Sequence, residues 1–339
     1  MKHVQRDLLV ILVFTPLLTG LVLAQSTPAL VDGFNDGNYV VTGRVHTAVC
    51  DTNGNLFLGG EFRVNYGGSV HARLLTRIKG DNVHDSGLYL DGNRVNAVLP
   101  LEGDAVLAGG ACQKGGVTNL IRMNKTPDLY EVDTSYAPTP RGEVLALARQ
   151  ADGKILVGGS FTVICGQARS FLARLNSDGT LDPSFTAQPN SNVTTLAVQP
   201  DGRILIGGAF TSISGTACQR LARVWTTGAL DPDFSASADG LVRTLAVYPN
   251  GDILVGGDFD TVSGIAKRGL AMLYANGDVW SEFPGWLNAG ASAYSVALQP
   301  DGQAIVGGTF AMVGGMHLRQ RLVRLKANGK KASGKRAGG

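Results

Sequence analysis

Charge is scarce in this chain: 17% of its 339 residues are Asp, Glu, Lys or Arg, and they sum to only +3. A balance that small gives no electrostatic footprint for nucleic acid. With 44% hydrophobic residues and 46 glycines, the composition describes a globular, turn-rich protein and not a disordered one. Cysteine is scarcer still, at four residues with no CxxC among them, which argues against a zinc site. No GxSxG, no HExxH and no paired-histidine spacing occurs, so the common hydrolase and metalloprotease signatures are absent. Turn residues recur so often that no helix of normal length fits between them. No cofactor is expected.

The long apolar run that does occur is at the start. Lys2 and Arg6 precede the run from Leu8 to Leu23, and Val22-Leu23-Ala24 forms a small-residue cleavage site before Gln25. Residues 1–24 thus read as an export signal. The rival is an uncleaved anchor, against which stand Pro16 and a length short of the ~20 residues a span needs. Export places the mature chain outside the cell, in the periplasm or on the envelope, with no membrane span once the signal is cleaved.

What the sequence has in abundance is repetition. The pair Gly59-Gly60 returns at 109–110, 158–159, 207–208, 256–257 and 307–308, in steps of 50, 49, 49, 49 and 51 residues. A period this regular signals a repeat architecture. Each unit offers four strand-like segments. The first is Val193 to Val198 and its equivalents. A tight turn follows, clearest as Pro200-Asp201-Gly202 and Pro300-Asp301-Gly302, in which Pro presets φ and Gly takes the left-handed position. The second segment is the apolar run ending in Gly-Gly, a buried strand whose glycines imply a close approach to the next unit. The third is Leu172 to Leu175 or Leu221 to Val224, and the fourth Leu181 to Phe185 or Leu230 to Phe234.

Four antiparallel strands in each of six units describe the blades of an all-β, six-bladed β-propeller. A solenoid is the rival. The last unit stops after its third segment, whereas Leu30-Val31-Asp32-Gly33-Phe34 resembles a fourth segment one residue short. An N-terminal strand at about 30–34 would complete the last blade and close the ring without exposed edges. The expected organisation is a single propeller over 25–329, with blades at about 45–90, 95–138, 143–187, 192–236, 241–288 and 293–327. A basic flexible tail, 330–339, follows. The expected state is a monomer.

A second periodic feature concerns charge. Arg77, Arg174 and Arg223 are each followed eight residues later by an acid, Asp85, Asp182 and Asp231, and Arg122 and Asp133 fit with a longer turn. In the fifth unit both slots change together, to Met272 and Trp280. Joint loss is what a buried cross-strand ion pair predicts, since stranding one partner costs about 3–5 kcal/mol while replacing both can be nearly neutral. The last unit would pair Arg324 with Asp32 across the closure. All ten residues read as structural and not catalytic. Asn176-Ser177-Asp178-Gly179 with Asp182 supplies calcium-like oxygens but reads as a hairpin turn that needs no ion.

The motifs PDGxILxGGxF at 200–210, LARL at 172–175 and LDPxF at 181–185 and 230–234 resemble the delta-60 repeat, found in exported bacterial β-propellers. The resemblance runs from Val45 to Lys326, and the first two units depart most. It implies fold and export, and no settled activity. Kelch repeats share paired glycines, but the Tyr and Trp that follow them in that family are absent.

Turn lengths divide the units into a tight-turn face and a long-loop face, and function is expected on the latter. Candidate ligand-face residues are His71, Arg73, Arg169, Arg220, Lys267, Arg268, His317 and Arg319, with Trp286 as an aromatic platform. Arg63 and Lys114 belong to the same basic loops, opposed by Asp258 and Asp260. The bland alternative is solvated charge, with Trp286 packed over a blade joint. The basic bias points to a protein or glycan partner, anionic if these side chains converge. The reading is therefore a non-enzymatic binding module. The alternatives are a glycan lyase or hydrolase with a site at the central channel, and a structural module of a surface assembly. Cys112 stands in a slot otherwise held by Phe and reads as core; Cys165 and Cys218, in equivalent loops, are the two that could pair.

Overall fold

The computed structural model describes residues 39–51, 53–66, 69–78, 88–127, 129–314, 317–318 and 321–326. The export segment, the 30–34 strand with Asp32, Asp85, Arg319 and the basic tail lie outside the described residues. Two compact units divide the chain: the first is Met1–Leu147, Phe161–Ala168 and Ser177–Leu181, the second Ala148–Ser160, Arg169–Asn176 and Asp182–Gly339.

In the first unit, β1 (Tyr39–Cys50), β2 (Leu56–Tyr66) and β3 (Ser69–Ile78) form one antiparallel sheet. The strands β4 (Asp91–Pro100), β5 (Val106–Lys114), β6 (Val117–Lys125) and β7 (Tyr130–Val132) form a second, in chain order. Strand β8 (Val144–Arg149) comes next in sequence, and β9 (Ile155–Gly159) belongs to the second unit. The first unit also contains a two-stranded ribbon of β10 (Val163–Ile164) and β11 (Gln167–Ala168). Its core packs Val49, Phe57, Leu75, Leu88, Val95, Ile121 and Tyr130 together.

In the second unit β9 pairs with β12 (Leu172–Leu175). Three sheets then repeat one plan. The first joins β13 (Val193–Val198), β14 (Ile204–Gly208) and β17 (Leu221–Val224), with β15 (Ser212–Ile213) and β16 (Thr216–Ala217) as a separate ribbon. The next joins β18 (Val242–Val247), β19 (Ile253–Gly257) and β22 (Leu270–Leu273), with the ribbon β20 (Thr261–Val262) and β21 (Ile265–Ala266). The last joins β23 (Ala293–Leu298), β24 (Ala304–Gly308) and β27 (Leu322–Leu325), with the ribbon β25 (Met312–Val313) and β26 (His317–Leu318). Strands β9, β14 and β19 are buried at all five positions. Both faces are covered, which is why these runs read as continuous and not alternating.

Two expectations need correction. Among the described residues only the sheet β4–β7 has four strands. In the fourth and fifth repeats the LDPxF segment, or Val279 to Phe283 in its place, contributes a single bridge, Val224 to Leu230 or Leu273 to Val279, and then turns. The proline after Asp231 has no N–H to give a ladder. The Asp231 carboxylate accepts the Asp233 N–H at 3.1 Å, which bends the chain instead. The anchoring function of the segment survives in Phe234, 6% exposed, packed in the core with Val242 and Phe259.

The second correction concerns the glycine pairs. Gly207 does face the next repeat: a Cβ there would lie 2.6 Å from Val242 Cγ1. Gly208, however, approaches its own partner strand, with Asn192 O 2.2 Å from the same virtual atom. The cause is a β-bulge in the first strand, where the register shifts between Val193 and Thr195. The same bulge recurs at Val45/Thr47, Val95/Ala97, Val242/Thr244 and Ala293/Ser295.

All four cysteines are free thiols. Cys112 is buried in the core of the first unit, and burial pushes its thiol up to about 12. Among the described residues no helix is long and apolar enough to cross a membrane.

Candidate functional site

The most elaborate side-chain constructions lie at the tight-turn ends of the sheets. Arg174 Nε donates to Asp182 Oδ2 at 2.8 Å, and Arg223 Nε to Asp231 Oδ2 at 2.7 Å. Each arginine is buried, lies over the phenylalanine of its own LDPxF segment (4.8 Å to Phe185 or Phe234) and also reaches a glutamine of its own repeat, Gln150 or Gln199, at 3.5 Å. Each also donates to a carbonyl of the following repeat, Thr226 or Ala275. In the first unit Arg122 Nε is 3.7 Å from Asp133 and its Nη1 reaches Ser177 O at 3.4 Å. The arginines therefore contact both the acid of their own repeat and a turn of the next, a link the sequence pattern did not contain.

Arg77 is arranged differently. It is 3.5 Å from Asp51, 3.3 Å from Asp104 and donates to Tyr130 Oη at 2.8 Å; its expected partner Asp85 lies outside the described residues. Arg324 is exposed, and its expected partner Asp32 likewise lies outside them. Where the pair is lost, Met272 is buried and Trp280 stacks on Tyr274 with ring centroids 6.2 Å apart.

Burial by itself would raise the pKa of Asp182. Hydrogen bonds from Lys154 and Ser184 and the charge of Arg174 outweigh it and hold the carboxyl well below the usual carboxylate range. Lys154 Nζ sits 2.7 Å from Asp182 Oδ2. Beside this network, the tight turns of the third and fourth repeats border a cleft of ≈ 460 Å³ lined by Gln150, Asp152, Lys154, Gln199, Thr226 and Thr227. Nothing in the repeat pattern had marked it.

The long-loop candidates fare unequally. Lys267 is not available to a ligand: it is 1% exposed, and its ammonium donates to Ser281 O at 2.7 Å and Phe283 O at 2.9 Å. Burial lowers its pKa from the ordinary lysine value. The slot it fills holds Arg169, Cys218 and Leu318 in other repeats, and that mixture of apolar and basic residues is the sequence signal of an inward position. Arg220 is half-buried, has φ +62° and donates to Ala238 O at 3.1 Å, so it too serves the loop.

Arg268 is exposed, with Asp260 3.9 Å away, and Trp286 is 42% exposed. Arg169 is half-buried. His71 lies on β3 and His317 on β26. Asp258, expected to oppose the basic residues, is engaged by Arg243 at 2.7 and 2.6 Å. Arg73 is exposed and lines a cleft of ≈ 550 Å³ in the first unit, together with Glu61, Arg63, Asp91 and Asn93. Among the described residues no group of three His, Cys, Asp or Glu side chains is placed to hold a metal ion.

A family model described as a domain of unknown function (DUF5122) beta-propeller matches residues 150–185, 199–234 and 299–331, which fall in the third, fourth and sixth repeats. The chain is an all-β, antiparallel, propeller-like protein. No curated protein matches it. Among solved structures, virginiamycin B lyase from Staphylococcus aureus is 10% identical, with 86% of each chain covered and a TM-score of 0.51. The WD40 beta propeller domain of Doa1 is 18% identical over 79% of this chain and 76% of that one, with a TM-score of 0.48. The extracellular domain of BT4673 from B. thetaiotaomicron is 15% identical over 81% of this chain, at a TM-score of 0.48. The propeller spans 33% of that last chain. At these identities the likeness concerns the fold alone.

Proposed function

We propose that this propeller is an exported, non-enzymatic binding module for an extracellular or envelope glycan or protein, and that the partner docks on the long-loop face. The observation that carries the reading is the exposure of Arg73, Arg268 and Trp286, and the direction in which five structural carboxylates are tuned agrees with it. Asp133, Asp178, Asp182, Asp239 and Asp258 are all held below the usual carboxylate range by hydrogen bonds and neighbouring charges. A glycan lyase or hydrolase needs an acid or base poised near its working pH. These groups are tuned the other way, toward permanent charge in service of structure. The exposed Arg73, Arg268 and Trp286 remain for contact. A glycan and envelope-protein binding screen with wild type, Arg73→Gln, Arg268→Gln and Trp286→Ala tests this. A ligand whose affinity drops in any of the variants supports the face, and one that binds all four proteins equally refutes it.

The same reading takes the six repeats as one monomeric ring over 25–329 that resembles the delta-60 propellers, with 30–34 completing the sixth blade and Asp32 pairing Arg324. Asp32→Ala is then expected to lower the melting temperature clearly. An unchanged melting curve would remove the closure.

A further inference from the structure

Arg63 and Arg73 are directly opposite one another on β2 and β3. Cross-strand partners project to the same face of a sheet, and like charges in that position are destabilising. Both side chains are exposed, both line the ≈ 550 Å³ cleft of the first unit, and neither makes an ion pair or side-chain hydrogen bond with another described residue. Of the two carboxylates that line the cleft, Glu61 is engaged elsewhere, with its Oε1 3.3 Å from His46 and 3.6 Å from Arg94, and the exposed Asp91 favours the charged form of Lys114. Gly43 and Gly92, at φ +127° and +114°, also line the cleft, and neither puts a side chain into it. Asn93 adds an amide, and Tyr89, 45% exposed, lies next in sequence to the lining residue Leu90.

Resting on the binding reading above, we propose that the Arg63–Arg73 pair is the oxyanion-recognition site of this protein, holding a carboxylate or sulfate group of an acidic glycan. Two guanidinium forks on one face present several N–H donors to one oxyanion, a geometry suited to bidentate recognition. Bound charge relieves the repulsion that the empty pair sustains. The Asn93 amide and the backbone around Gly43 and Gly92 offer partners for sugar hydroxyls, and this neutral polar surround favours a glycan over a bare ion.

The test uses the full chain with polygalacturonate, dextran sulfate, neutral dextran and inorganic sulfate as probes. Wild type is expected to bind at least one of the two polyanions and not neutral dextran, and the preferred polyanion tells carboxylate from sulfate. Because charge-assisted hydrogen bonds are strong, Arg63→Gln/Arg73→Gln should weaken that binding about tenfold or more. Arg73→Lys should fall between, and Arg149→Gln, an exposed charge on β8 outside the ligand-face candidates, should bind as wild type. At low salt Arg73→Gln alone should melt no lower than wild type, since it removes repulsion. Polyanion binding that survives the double substitution, equal binding of neutral dextran, inorganic sulfate binding as tightly as the preferred polyanion, or no polyanion binding would each overturn the site. If a neutral ligand instead proves sensitive to Arg268→Gln or Trp286→Ala, the binding reading stands and only this site fails.

Discussion

Gly208→Ala is expected to destabilise the protein beyond the ~1–3 kcal/mol typical of an overpacked core site. The added methyl would sit 2.2 Å from Asn192 O, a backbone atom held by the β13–β14 ladder. No rotamer change can relieve it; the ladder itself would have to open. Gly207→Ala is expected to fall within the ordinary range, because its nearest neighbours are side-chain methyls, Thr195 Cγ2 and Val242 Cγ1, both at 2.6 Å. The two are separated by a rescue experiment read in denaturant unfolding. Val242→Ala should recover part of the loss in the Gly207 variant, and no side-chain truncation should recover the Gly208 variant. If the two alanine variants unfold at the same denaturant concentration, the assignment of one glycine to the neighbouring repeat and the other to its own bulge is wrong.

Asp231→Ala should cost about 3–5 kcal/mol, because it leaves the Arg223 guanidinium buried without its counter-charge. Arg223 is 2% exposed and Asp231 1%. The fifth repeat supplies the control: Met272, buried, and Trp280, half-buried, occupy the same slots as apolar members of one core cluster, with Trp280 against Tyr274. Arg223→Met/Asp231→Trp should therefore recover most of the loss, whereas additive costs in the double variant would mean the fifth repeat is stabilised by something else. The third repeat adds a pH signature. The Asp182 carboxyl is held low in the folded state, so its contribution is complete above the ordinary carboxylate range near pH ~4 and is lost as pH falls below it. An Asp182→Asn variant should be less stable at neutral pH and should lose less stability than wild type between pH 4 and pH 2. Parallel acid-unfolding curves would refute the linkage.

The sequence by itself determined the repeat, its period, the buried second strands and the Arg–Asp slots. All are encoded locally: an apolar run between turn residues can only be a covered strand, and two slots that change together record a contact. Met272 with Trp280 was legible for that reason, and so was Cys112 in a phenylalanine slot. What the sequence could not encode was direction. A basic residue in a loop reads the same whether its ammonium meets water, as Arg268 does, or closes on two carbonyls, as Lys267 does. LDPxF has the length of a strand, and only the hydrogen bonds show that its proline and aspartate turn the chain after a single bridge. The facing of Arg63 and Arg73 likewise depends on register across an irregular hairpin, in which pairing shifts between Gly59 and Arg63. Pattern follows from which residues must leave water, while the partner each polar atom finds is a three-dimensional outcome that only the folded chain decides.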